Sequence, residues 1–104
     1  MNRGVAYEYL GNRDKALEDK TESVNMLEWV CRKRADEDKY VLALAYMNRG
    51  ATYDSMGNYD MAIADGEKSK GILEQLKQEG RNVSSDYAMV LANIGMAKSK
   101  LKNN

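Results

Sequence analysis

Residues 1–19, MNRGVAYEYLGNRDKALED, recur at residues 47–65 as MNRGATYDSMGNYDMAIAD, with ten of the nineteen positions identical. A shorter echo, LANIGMAKSKL, occupies residues 91–101. The glycines keep the phase, since Gly4 to Gly50 is a step of 46 residues and Gly50 to Gly95 a step of 45. A fixed period of this size is the signature of a solenoid. Each unit of a solenoid buries its apolar face only against its neighbours. No other feature of the chain constrains the fold as tightly.

The punctuation within the repeat predicts helices. Gly11 reads as a left-handed helix end, and Asn12 as the N-cap of the helix that follows, with Asp14 in its first turn. The same signals recur at Gly57, Asn58 and Asp60. Between them, Ala16, Leu17, Val24, Leu27 and Val30 or Cys31 fall at helical spacing from Arg13 to about Arg34. Residues 35–38 are polar and break the pattern. Further helices are expected over residues 38–56 and 59–79, the latter ending at Gly80. A last helix is expected from a Ser84 or Ser85 cap to about Leu101. With residues 1–10 as a helix already under way, the expectation is five helices, all-α, with no strands. Gly66 and Gly71 fall inside the fourth, where each costs about 0.5–1 kcal/mol relative to Ala. They either permit close packing or mark a bend.

Composition narrows what such a chain can do. At 104 residues it makes one small domain. Sixteen basic residues balance sixteen acidic ones, so no long-range field draws the chain to nucleic acid or an anionic membrane. The longest apolar run, residues 41–47, is too short to span a bilayer. No signal peptide is expected ahead of the first repeat, and a single Cys forms no internal disulfide. Both point to the cytoplasm. With no His, the usual general base, metal ligand and most catalytic triads are missing. Cys31 lacks a partner to act as nucleophile or ligand, and reads as a packed thiol. Asp36, Glu37 and Asp38 fit no Ca²⁺ loop, and the glycines form no phosphate-binding loop. Trp29, alone on a helical stripe, is expected in the core. No enzyme, no cofactor and no metal is expected.

The string G-x-A/T-Y-x-x-x-G-x-x-x-x-A resembles the tetratricopeptide repeat. It is carried by Gly4, Ala6, Tyr7, Gly11 and Ala16, then by Gly50, Tyr53, Gly57, Tyr59, Ala62 and Ile63, and in part by Leu91, Ile94, Gly95 and Ala97. The units exceed the 34 residues of the common repeat and look like its elongated variant. The resemblance implies an α-solenoid, a right-handed superhelix of antiparallel helix pairs with about two and a half units. Unit one would span 1–35, truncated at its start, unit two 36–80, and a capping helix 84–101. Gly50 would lie where paired helices approach most closely, against the small Ala62. Tyr7 and Tyr53 would fill the space between units. This sequence departs from the family pattern at Lys20 and Gly66, which replace a bulky aromatic, and at Arg3 and Arg49, which stand where Leu is usual.

In that family the first helix of each unit lines a concave groove. With Gly50 turned toward the partner helix, an advance of 100° per residue puts Leu44, Met47, Asn48, Ala51 and Ser55 on the opposite face. The equivalent set in the first unit is Met1, Asn2, Val5 and Tyr9. In the third it is Met89, Ala92, Asn93, Met96 and Lys100. Asn2, Asn48 and Asn93 would then form a ladder of amides able to pair with the main chain of an extended peptide. Met47, Met89 and Met96 suit varied apolar side chains. The expected function is a non-enzymatic protein-interaction scaffold that holds an extended peptide segment. The alternative is a structural, self-associating repeat that forms a homo-oligomer, such as a homodimer, through exposed terminal helices. Neither nucleic acid nor membrane is an expected partner.

Overall fold

A computed structural model of the chain describes the backbone of residues 3–33 and 39–103, and the side chains of these except residues 3–11 and 33. The described residues form four α-helices: α1 Arg3–Lys33, α2 Lys39–Ser55, α3 Tyr59–Gln78 and α4 Ser84–Asn103. No strand occurs among them.

The second copy of the repeated turn forms as its residues dictate. Gly57 takes φ +80°, the left-handed conformation that glycine tolerates best, and Asn58 N–H donates to the Tyr53 carbonyl at 2.9 Å. The Asn58 side chain accepts from Met61 N–H at 3.4 Å, and Asp60 occupies the first turn of α3. Gly80 repeats the device at φ +91° after α3.

The first copy behaves differently. Helix α1 runs unbroken through Gly11 and Asn12, so Gly11 does not end a helix, Asn12 does not cap one, and four helices stand where five were expected. A turn forfeits helical hydrogen bonds and needs packing between its arms to replace them. At Gly57 that packing is supplied by more than four turns of α2 against α3. Ahead of Gly11 the described helix offers only Arg3–Leu10, two turns, and the unbroken ladder wins. At the start of α4, Ser84 is the first helical residue and not the cap. Its N–H meets the Asn82 side chain at 3.4 Å, and Tyr87 N–H donates to Val83 O at 2.8 Å.

Each helix packs antiparallel on the next in sequence. Pairs of hydrogen bonds fix the directions. Lys20 reaches Thr52 and Arg13 reaches the Ser55 carbonyl from α1 to α2. Arg49 meets Asp65, and Ser69 donates to the Ala43 carbonyl at 2.9 Å, between α2 and α3. Between α4 and α3, Tyr87 donates to Glu74, and the Lys98–Glu67 ion pair at 3.8 Å gives the second point. Two apolar clusters follow this order. Val24, Leu42 and Tyr46, with Leu27 and Cys31 against them, join α1 to α2. Ala43, Met47, Leu73, Leu76, Val90 and Ile94 join α2, α3 and α4. Ile72 touches both.

Two glycines mark the tightest approaches. A Cβ on Gly50 would lie 3.3 Å from both Ala62 O and Asp65 Cβ, so Gly50 faces α3 at the expected crossing. A Cβ on Gly66 would lie 2.6 Å from Ile94 Cγ1, so Gly66 is the dent that seats α4. Gly71 has nothing within 4 Å. Trp29 is 55% exposed and does not join the core; Leu27, Val30 and Cys31 take the inward side of that turn instead.

Candidate functional site

A hollow of the same kind occurs twice among the described residues, once between α1 and α2 and once where α2, α3 and α4 meet. At the α1–α2 junction, Lys20, Leu44, Ala45 and Asn48 line an open cleft of about 290 Å³. At the junction of α2, α3 and α4, Met47, Ala51, Gly66, Val90, Asn93 and Met96 surround a cavity of about 70 Å³. Lys20 and Gly66 are 46 residues apart; Ala45 and Val90, like Asn48 and Asn93, are 45 apart. The two hollows are therefore one site repeated by the period of the sequence.

What differs is the residue at the base. Gly66 admits Ile94 and the helices close. Lys20 instead donates its ammonium to Thr52 Oγ1 at 2.6 Å, which holds the α1–α2 cleft wider. Thr52 in turn donates to the Asn48 carbonyl at 3.2 Å.

Of the residues singled out in the sequence, Asn48, Ala51, Ser55, Met89 and Met96 are exposed, and Leu44 and Asn93 are half-buried. Met47 is buried, its inner side in the core and its outer side on the smaller cavity. Asn2 lies outside the described residues. Val5 and Tyr9 fall on α1, and their side chains are outside the description. Lys100 pairs at 3.1 Å with Asp54, a lining residue of the smaller cavity, and lies 5.7 Å from the centre of the Tyr59 ring. An ordinary surface pair of this kind contributes about 0–1 kcal/mol, so it opens readily to an incoming group.

Behind the seam is a polar group that periodicity did not reveal. Arg49 forks onto Asp65 with both contacts at 2.7 Å, and the two residues are only 8% and 1% exposed. The guanidinium lies 5.8 Å from the ring centres of both Tyr46 and Tyr53. The hydrogen bond to Asp65 raises the Arg49 pKa against the opposing effect of burial. Burial first, then a hydrogen bond to Glu28, pushes the Tyr46 hydroxyl up to about 12. Arg49 thus stands where the family pattern has Leu because its charge is fully engaged. The signal was present in the sequence: Arg3 and Asp19 repeat the pair at the same separation of sixteen residues.

Among the described residues, no group of three His, Cys, Asp or Glu side chains is placed to hold a metal ion. None of their helices is long and apolar enough to cross a membrane.

Residues 43–72, from within α2 through the Gly57 turn into α3, match the family model for the tetratricopeptide repeat. Over these residues the chain is similar to a tetratricopeptide repeat. The match covers the hairpin in which Gly50, Ala62 and the Arg49–Asp65 pair bring two helices together. No curated protein and no solved structure matches the chain. Tetratricopeptide repeats generally mediate protein–protein interactions and are generally non-enzymatic scaffolds.

Proposed function

We propose that this protein is a non-enzymatic interaction scaffold that binds an extended, partly apolar peptide segment along its repeated inter-unit seam, within a right-handed superhelical stack. The observation that carries the reading is the recurrence of the seam with an Asn at the same place each time, Asn48 at one and Asn93 at the next. Each amide offers one acceptor and two donors to a peptide main chain, independent of its side chains. Met89 and Met96, both more than half exposed, supply adaptable apolar surface beside Asn93. The chain carries no net charge, so recognition rests on main-chain pairing and apolar contact. Asn2, Val5 and Tyr9 would extend the same face toward the start of the chain.

Selection of random linear peptides on the intact protein tests this. The reading expects binders whose affinity falls about tenfold on Asn93→Ala or Met96→Asp. Binders indifferent to both, and to Asn48→Ala, would contradict it.

A second reading, self-association through terminal helices, is favoured by one face of α4. Gly95 stands 45 residues after Gly50, yet nothing lies within 4 Å of its Cβ position, and the neighbouring Leu91 is 42% exposed.

A further inference from the structure

The two hollows of the seam differ in charge as well as in width. In the narrower one the charged lining residue is Asp54, and Lys100 already pairs with it. The wider one holds a cation. Lys20 lines the α1–α2 cleft, is half-buried, and donates its ammonium to Thr52 Oγ1 at 2.6 Å. Thr52 passes its own hydroxyl proton on to the Asn48 carbonyl at 3.2 Å. An ammonium carries three donors. A neutral hydroxyl takes one of them here, and among the described residues no carboxylate takes another.

A charge drawn partly out of water is disfavoured until an opposite charge meets it. The protein completes such a pair for Arg49, which is buried and meets both oxygens of Asp65 at 2.7 Å. For Lys20 it supplies none. The cleft around that ammonium has apolar walls, Leu27, Val41 and Leu44, with the exposed Ser23 and Asn48 as further hydrogen-bonding groups. Among the described residues its lining includes no carboxylate.

We infer that this cleft is the specificity subsite of the seam, and that it takes the side-chain carboxylate of a glutamate or aspartate within the bound peptide. The inference rests on the peptide-binding reading above and adds one local ion pair to it. With the main chain of the acidic residue at Asn48, its methylene groups lie against the apolar walls. Its carboxylate then meets the donors of Lys20 that Thr52 leaves free. A phosphate group suits the site less, because its nearly double charge would find one cation and no guanidinium in the lining. The neighbouring hollow, about 70 Å³ and closed by Ile94 over Gly66, takes a small apolar side chain. Sliding the peptide by one unit would bring its carboxylate beside Asp54, a like charge. The acidic residue thereby fixes the register.

Calorimetric titration with C-terminally amidated peptides from the linear-peptide selection tests the subsite. The selected sequences are expected to share an internal Glu or Asp, and its Gln or Asn analogue to bind about tenfold more weakly to the wild-type protein. Lys20→Met should bind the acidic and neutral peptides alike. Lys20→Glu is the decisive variant. It should lose the acidic peptide and prefer the analogue with Lys in that place, with far-UV circular dichroism checking that the helices persist. A role confined to the bond with Thr52 would alter stability without reversing this charge preference. Binders that lack an acidic residue, or acidic and neutral peptides of equal affinity on the wild type, overturn the subsite. So does binding that requires a free terminal carboxylate. In each of these cases loss of affinity on Asn93→Ala and Met96→Asp would leave the seam standing. Finding no binder, or only binders indifferent to Asn48, Asn93 and Met96, overturns both readings.

Discussion

Gly66 and Gly71 lie five residues apart on α3, and replacing each with Ala should move stability in opposite directions. Ala in a helix interior is favoured over Gly by about 0.5–1 kcal/mol. At Gly71 nothing lies within 4 Å of the new methyl, so that gain is realised. At Gly66 the methyl would fall 2.6 Å from Ile94 Cγ1 and 3.2 Å from its Cδ1. Cγ1 is not the free end of a side chain, and Ile94 is itself buried, so α3 and α4 must separate. Overpacking of this kind costs about 1–3 kcal/mol. Subtracting the helix gain leaves a net loss of about 0–2.5 kcal/mol for Gly66→Ala, near 1 at the middle of both ranges. At this chain length 1 kcal/mol corresponds to about 4–8 °C in Tm. Thermal unfolding followed by circular dichroism should therefore show Gly66→Ala melting several degrees below wild type and Gly71→Ala a few degrees above. In an Ile94→Ala background the overlap is gone, and Gly66→Ala should become stabilising. If Gly66→Ala raises Tm as Gly71→Ala does, the close approach of α3 and α4 is wrong.

Three further outcomes follow from other contacts. Asp65→Ala strands a buried guanidinium and should cost about 3–5 kcal/mol in urea unfolding, whereas Arg49→Met with Asp65→Leu should cost far less. Tyr46 has a folded pKa of about 12, above its ordinary 10, so its contribution is full below pH 10 and is lost as pH rises from 10 toward 12. Tyr46→Phe should flatten the stability–pH curve in that window, and an unchanged curve would refute the assignment. Asn58→Ala removes an N-cap and should cost about 0.5–1 kcal/mol. Asn12→Ala lies within a continuous helix and should cost nothing or stabilise slightly; equal losses at the two positions would mean that α1 also turns.

The turn at Gly57 was legible because left-handed glycine, Asn cap and acidic first turn coincide with long apolar arms on both sides. The identical letters at Gly11 misled, because a turn signal is permissive and the packing of its arms decides whether it is used. The crossing at Gly50 was legible from small residues in phase. The dent at Gly66 was not, since its partner Ile94 is 28 residues away and only the packed pair shows the fit. Arg49 looked like a departure from an apolar pattern. Its partner lies across the turn, beyond the reach of any single helical face. Trp29 was expected inside on grounds of residue type, but its position on α1 points away from α2. Asn48 and Asn93 could be placed on a common face by period alone, while the different widths of their clefts depend on Lys20 and Gly66 beneath them.

The seam itself is best tested by NMR titration of the labelled protein with the tightest linear peptide from the selection. The side-chain amide signals of Asn48 and Asn93 should move together along one binding isotherm, with the methyl signals of Met89 and Met96, while that of Asn82 stays in place. Saturable binding that shifts Met26 and Trp29 and leaves Asn48 and Asn93 unmoved would put the interaction on another face and contradict the account.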